Sequence, residues 1–279
     1  MRNWSGRGRR RLGLLALAVL GMAWSTPSGL GAPISVTLIG AVRCSQAEYG
    51  TIQGRLVWGG SEIPKVRTLV DRGTASKDPE VCAKDRAILS RELVVDPATK
   101  GVAHAFVYLV RPQGSNPEAA RALIERQPKI ELDQENCEFL PYTLAMHQDQ
   151  TLVLKSSDPV NHNVRYAAFT NAPFNQILGP KGQMEVKLVA ERRPIVVACD
   201  IHPWMKAYLM VFDHPFYAVT QEDGSFELTG VPAGEQSLVV WQERVGYVNP
   251  EKARGTPVKV RGGQVTDLGS ILIDPAQVK

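Results

Sequence analysis

The chain has 279 residues, 44% of them hydrophobic, and a formal net charge of +4, enough material for one or two packed domains. Arg2, Arg7, Arg9, Arg10 and Arg11 all precede the first acidic residue. The rest of the chain therefore carries a net charge of about −1, which removes the electrostatic case for a nucleic-acid partner. Beyond the first 32 residues no stretch is long and apolar enough to cross a bilayer, so no membrane span is expected in the mature chain.

The first segment, 1–32, reads as a signal peptide: basic MRNWSGRGRRR, then apolar LGLLALAVLGMAW, then small residues with Ala23 or Ala32 as acceptable cleavage points. An uncleaved anchor is the alternative. Export places the protein in the periplasm or outside the cell, where its four cysteines meet oxidising conditions. Cys82 and Cys137 both fall in loop-like contexts and are the preferred disulfide, leaving Cys44 free or bonded to another chain.

The mature chain then reads as strands and turns. TIQGRLVW and HAFVYLV are short β-rich runs, and NPEAARALIERQ is the one segment of helical composition. From Lys129 the runs KIELDQ, TLAMH, TLVLKS, HNVRYAA, MEVKLVA, RPIVVAC and AYLMVFD follow between Gly, Pro, Asn and Asp clusters. This is the spacing of an all-β sandwich. After His214, the EDG and PAG turns separate further alternating strands, giving a second small β unit. Neither a βαβ rhythm nor a glycine-rich phosphate loop occurs.

Cys199 to Met205 reads CDIHPWM, with Cys199, His202 and Met205 spaced three and three. Alone, this could be a turn with a buried Cys and a core-filling Met. Its place between two apolar strands lets a hairpin end aim all three side chains at one point. The histidines offer a fourth ligand. His104 reads as structural, His147 as a solvated turn residue and His214 as a junction residue, which leaves His162 in SSDPVNHNVRY. One thiolate, two imidazoles and one thioether suit copper, because a His₂Cys set with a weak axial Met is an electron-transfer arrangement. A thioether is a poor zinc ligand, and calcium or magnesium would need oxygen donors.

Taken as a pair, HNV at 162–164 and CDIHPWM, 37 residues apart, resemble the ligand motifs of the cupredoxin family. The likeness runs to its amicyanin-like and plastocyanin-like members and covers roughly 129–213. The resemblance implies a Greek-key sandwich holding one copper ion (Cu⁺/Cu²⁺). His162, Cys199 and His202 would be the strong ligands and Met205 the axial one. It further implies that Asn163 ties the two ligand loops together. The ring edge of His202 would be exposed beside Pro203 and Trp204 as the electron-exchange face. The flanks GTIQGRLVWGGSEIP and AVTQEDGSFELTGVPAGEQSLVVW resemble a carboxypeptidase-regulatory-like, prealbumin-like (transthyretin-type) sandwich. This implies nesting, with a copper domain at 113–213 inserted into a sandwich made of 48–112 and 214–273. A sequential arrangement is the alternative.

These readings predict a non-enzymatic electron carrier with an unspecified redox partner. A copper storage or delivery protein, or a structural or adhesion module with a vestigial site, is the alternative. Cysteine nucleophilic catalysis lacks an orienting third group and an oxyanion device, and multicopper enzymes need more histidines than the chain has.

Overall fold

A computed structural model describes residues 48–279. The expected leader 1–32 and Cys44 lie outside the described residues. Among the described residues four larger sheets stack with three apolar layers between them, and Thr68–Val70 pairs with Ile88–Leu89 in a separate two-stranded sheet. In the first sheet Tyr49–Trp58 is central, antiparallel to Ser225–Pro232 and parallel to Val265–Ile273. Its alternation buries Ile52 and Leu56 and turns Gln53 and Arg55 outward, the period-two habit of a half-buried strand. The second sheet carries Tyr217–Val219, Phe106–Leu109, Gly234–Gln242 and Gly246–Tyr247, with Thr256–Val260 also paired to Gly234–Gln242. Val107, Leu109, Phe216, Phe226, Leu228 and Val240 fill the layer between these two sheets.

The EDG turn needs its glycine. Gly224 has φ +82, and a Cβ there would sit 2.2 Å from the Leu56 carbonyl oxygen. The expected helix forms over Pro117–Arg126, with proline first and Asn116 Oδ1 accepting from the Ala119 N–H at 3.0 Å.

Residues 129–212 form the other two sheets, an arrangement consistent with a cupredoxin-type sandwich. One sheet orders Phe174–Leu178, His162–Tyr166, Ile195–Ala198, Lys206–Phe212 and Thr143–His147. The other orders Gln183–Val186, Thr151–Ser156, Lys129–Glu135 and Glu138–Leu140. Leu132, Phe139, Leu152, Leu154, Val164 and Leu209 pack between them.

Several strands serve two layers each, among them Lys206–Phe212, Phe106–Leu109 and Gly234–Gln242, which explains their apolar runs. Along Lys206–Phe212, Ala207, Leu209 and Val211 face the 129–212 core, while Met210 and Phe212 face the neighbouring sheet. Along Phe106–Leu109, Val107 and Leu109 face the flanking core, while Phe106 and Tyr108 meet Met210 and Phe212. Aromatic pairs such as Tyr108–Phe212, 5.2 Å between centroids, join the sheet that carries Phe106–Leu109 to the one that carries Lys206–Phe212.

One segment departs from the expected division of the chain. Val70, Ala75, Cys82, Ala83 and Ile88, which the sequence resemblance places with 48–112, pack in one cluster with the 129–212 core. The cause is covalent as well as apolar: Cys82 is bonded to Cys137, 55 residues on. Both cysteines are fully buried, contrary to their polar sequence surroundings.

Candidate metal centre

Strand alternation places the candidate ligands at one end of the 129–212 sandwich. His162 opens the strand His162–Tyr166, and it shares the buried face of Val164 and Tyr166. Cys199 follows Ile195–Ala198 and continues the inward series of Ile195 and Val197. The chain then reverses over 199–205. The Met205 N–H donates to the His202 carbonyl at 2.9 Å, and the Cys199 N–H to the Met205 carbonyl at 3.3 Å. His202 and Met205 are both buried on this hairpin end.

Asn163 connects the two ligand segments. Its Oδ1 accepts from the Asp200 N–H at 2.6 Å and lies 3.3 Å from Cys199 Sγ, while its Nδ2 donates to Asn175 and Asp200. It thereby holds the start of the 199–205 loop against the strand that carries His162.

Three donor atoms converge. His162 Nδ1 and His202 Nδ1 are 3.0 Å apart, and Cys199 Sγ is 3.7 Å from His202 Nδ1. Two nitrogens and a sulfur keep such separations when they share one ion at bond lengths of about 2.0–2.3 Å and angles of roughly 100–120°. The outer nitrogens are engaged elsewhere: His162 Nε2 with Asp158 Oδ2 at 2.8 Å, His202 Nε2 with Asp78 Oδ2 at 2.9 Å. Carboxylates accept, so both Nε2 atoms carry protons and both Nδ1 lone pairs point at one another. Two lone pairs at that distance need a proton or a cation between them.

The electrostatics agree. Burial alone would push the His162 imidazole down, but hydrogen bonds to Asp158 and Cys199 outweigh it and raise its pKa to about 9. Burial would likewise raise the Cys199 thiol, yet hydrogen bonds to His162 and His202 hold it at about 6. Burial also opposes ionisation of Asp158, whose carboxyl is nonetheless held below its usual range by His162 and the Cys137 and Asn136 N–H groups. Without metal, the site is therefore a thiolate beside an imidazolium, and a soft cation would replace one proton.

Among the described residues, two other groups bring ligand-type atoms within 4.8 Å of one another: Cys82, Cys137 and His202, and Cys137, Asp158 and His162. Both draw their sulfur from the Cys82–Cys137 disulfide. The group of His162, Cys199 and His202 keeps a free thiol.

Several sequence expectations meet a different surrounding. The ring of His202 is fully buried rather than edge-exposed, because the 71–86 segment lies over it and Asp78 bonds its Nε2. Pro203 is exposed, and Trp204 is half-buried with its Nε1–H donating to the Cys137 carbonyl at 3.1 Å. The Trp204 ring stands 5.3 Å from that of His202, centroid to centroid. His147 is buried rather than solvated, and its Nδ1 accepts from the Asp149 N–H. His104 packs edge-on against Tyr142, and burial lowers it to about 4. Burial lowers His214 to about 4 as well, and its Nδ1 accepts from the Phe216 N–H. None of the three joins the converging set.

Sequence reasoning missed Asp158 and Asp78. Asp158 carried a faint signal, standing four residues before His162 in a turn. Asp78 carried none, being 124 residues from His202.

No protein-family model and no curated protein matches the chain. Among solved structures the chain is similar to a copper-containing nitrite reductase from Thermus scotoductus, at 19% identity over 30% of this chain and 22% of that one, TM-score 0.28. It is similar to a reduced tryptophan-to-tyrosine mutant of amicyanin, at 17% identity over 30% of this chain and 83% of that one, TM-score 0.28. A purple cupredoxin from Nitrosopumilus maritimus aligns at 20% identity over 30% of this chain and 98% of that one, TM-score 0.26. The chain thus spans less than a quarter of the nitrite reductase. No helix among the described residues is long and apolar enough to cross a membrane.

Proposed function

We propose that this protein is a mononuclear type 1 copper protein of cupredoxin type that carries single electrons in the periplasm or outside the cell. The observation that supports the reading most is the donor cluster: two imidazole Nδ1 atoms 3.0 Å apart beside a free thiol, with both Nε2 atoms bonded to carboxylates. Copper held by His162, Cys199, His202 and Met205 would supply a one-electron Cu(II)/Cu(I) couple.

The chain's own residues would do the rest. Asn163 fixes the Cys199 loop, and Asp158 fixes the ring of His162. The apolar layer of Val164, Val197 and Leu209 keeps water from the donors. Contrary to the sequence expectation, Asp158 and Asp78 do orient the imidazoles beside Cys199. The thiol and both rings are buried, which leaves a substrate no approach to Cys199, so the site reads as an electron-transfer centre. We further propose that 113–213, with the Cys82 segment added, is the copper-carrying domain, nested in a carboxypeptidase-regulatory-like sandwich built from the remainder of 48–112 and from 214–273.

A copper storage or delivery role is the second reading, favoured by the closed edge of His202. One experiment separates the two. The copper-loaded full chain is reduced and reoxidised repeatedly in the presence of a Cu(I) chelator. A carrier cycles with its copper retained; a delivery protein loses its copper to the chelator within the first cycles.

A further inference from the structure

We propose that the segment Asp71–Arg86 is a built-in cap on the metal centre, with Asp78 as the positioning residue that fixes the ring of His202 and closes its outer edge. The proposal rests on the copper reading above for its electron-transfer consequence, and on geometry alone for the cap itself.

The segment has the construction of a cap. Its ends are joined by the Gly73 N–H donating to the Ala83 carbonyl at 2.8 Å, so it forms a closed loop over the sandwich. Ala75, Cys82 and Ala83 anchor it in the 129–212 core, while most of its other residues are exposed and charged. Asp78 sits at its tip with φ 47, and its carbonyl accepts from the Val81 and Cys82 N–H groups. That turn directs the carboxylate onto His202 Nε2 at 2.9 Å.

Two fastenings hold the loop down. One is the Cys82–Cys137 disulfide. The other is the carboxylate of Glu138, 7% exposed and paired with both Arg86 and Arg91. Both end on the turn at 136–138, whose Asn136 and Cys137 N–H groups donate to Asp158 Oδ1 and Oδ2. Asp158 in turn bonds His162. One turn therefore fastens the cap and orients the other histidine. A partner approaching this face meets the cap, because His202 is 0% exposed.

Two consequences follow. The carboxylate strengthens His202 as a ligand and holds its tautomer, so removing it should weaken metal binding about 10–100-fold. It also lengthens the path for electron exchange with a small reagent, so removing it should speed that exchange.

The test compares Asp78→Ala with Asp78→Asn in the full chain. The two lose the same charge, but only asparagine keeps an oxygen to accept from Nε2–H. In the Zn²⁺-loaded protein, the His202 Nε2–H should exchange slowly with solvent in the wild type and in Asp78→Asn, and rapidly in Asp78→Ala. In the copper-loaded protein, bimolecular oxidation by ferricyanide should be faster in Asp78→Ala than in Asp78→Asn. Cys82→Ser/Cys137→Ser, where it folds, should speed both oxidation and amide exchange over 72–84. Equal Nε2–H exchange and equal oxidation rates in the two Asp78 variants would overturn the proposal. A wild-type protein that takes up no copper, yet shows the protected Nε2–H with zinc, would sink the copper reading and leave the cap standing.

Discussion

Loading the metal-free protein with one Zn²⁺ per chain at pH 7.5 should release about one proton, and the release should disappear by pH 10. Without metal the site holds a thiolate–imidazolium pair. His162 is raised to about 9 and Cys199 lowered to about 6. At pH 7.5 about 97% of His162 is protonated and about 97% of Cys199 is thiolate, so His162 is the donor that must surrender a proton. At pH 10 only about a tenth of His162 still holds its proton, and release falls to roughly 0.1 per metal. Below pH 6 the thiol of Cys199 adds a second. The sign has a companion in stability. A raised histidine pKa favours the metal-free fold fully below about pH 6.5, and that contribution is lost as pH rises through about 9. Calorimetric titration in two buffers of different ionisation enthalpy counts the protons at each pH. A release that is zero at pH 7.5, or that stays constant between pH 7.5 and 10, would refute the thiolate–imidazolium account.

Three further substitutions read separate parts of the structure. Asn163→Ala leaves the Asp200 N–H without its 2.6 Å acceptor and should cost about 1–3 kcal/mol in denaturant unfolding of the metal-free protein. Gly224→Ala forces a Cβ onto the Leu56 carbonyl at positive φ and should cost about 2–4 kcal/mol by the same measurement, with metal affinity unchanged. Cys82→Ser/Cys137→Ser opens a loop spanning 55 residues and should lower stability by about 4 kcal/mol on loop-closure entropy.

Much of this architecture was legible because period-two burial is written directly into the residues. Val164 and Tyr166 share the inward face with His162, as Ile195 and Val197 do with Cys199, so the strands announced where their terminal side chains would point. The helix was marked by Asn116-Pro117, a cap and a first-turn proline. The strand Phe174–Leu178 was not marked. It lies at a sheet edge and only Leu178 is buried, so no alternation appears. His147 read as a turn residue because its tetrad of polar neighbours hides that it ends the buried strand Thr143–His147. The cap was the least legible part. Its residues form no regular element, their anchoring depends on a bond to Cys137, and the contact of Asp78 with His202 links positions far apart in sequence. Local pattern carries no trace of such a pairing, and a ligand motif alone leaves open what covers it.

The most direct test of the central claim is the visible absorption and electron paramagnetic resonance of the copper-loaded chain beside Cys199→Ala. The account predicts one copper per chain with an intense thiolate-to-copper charge-transfer band and the narrow copper hyperfine splitting of a covalent Cu–S bond, both lost in the variant. A colourless protein that binds zinc stoichiometrically, or a copper spectrum unchanged by Cys199→Ala, would contradict it.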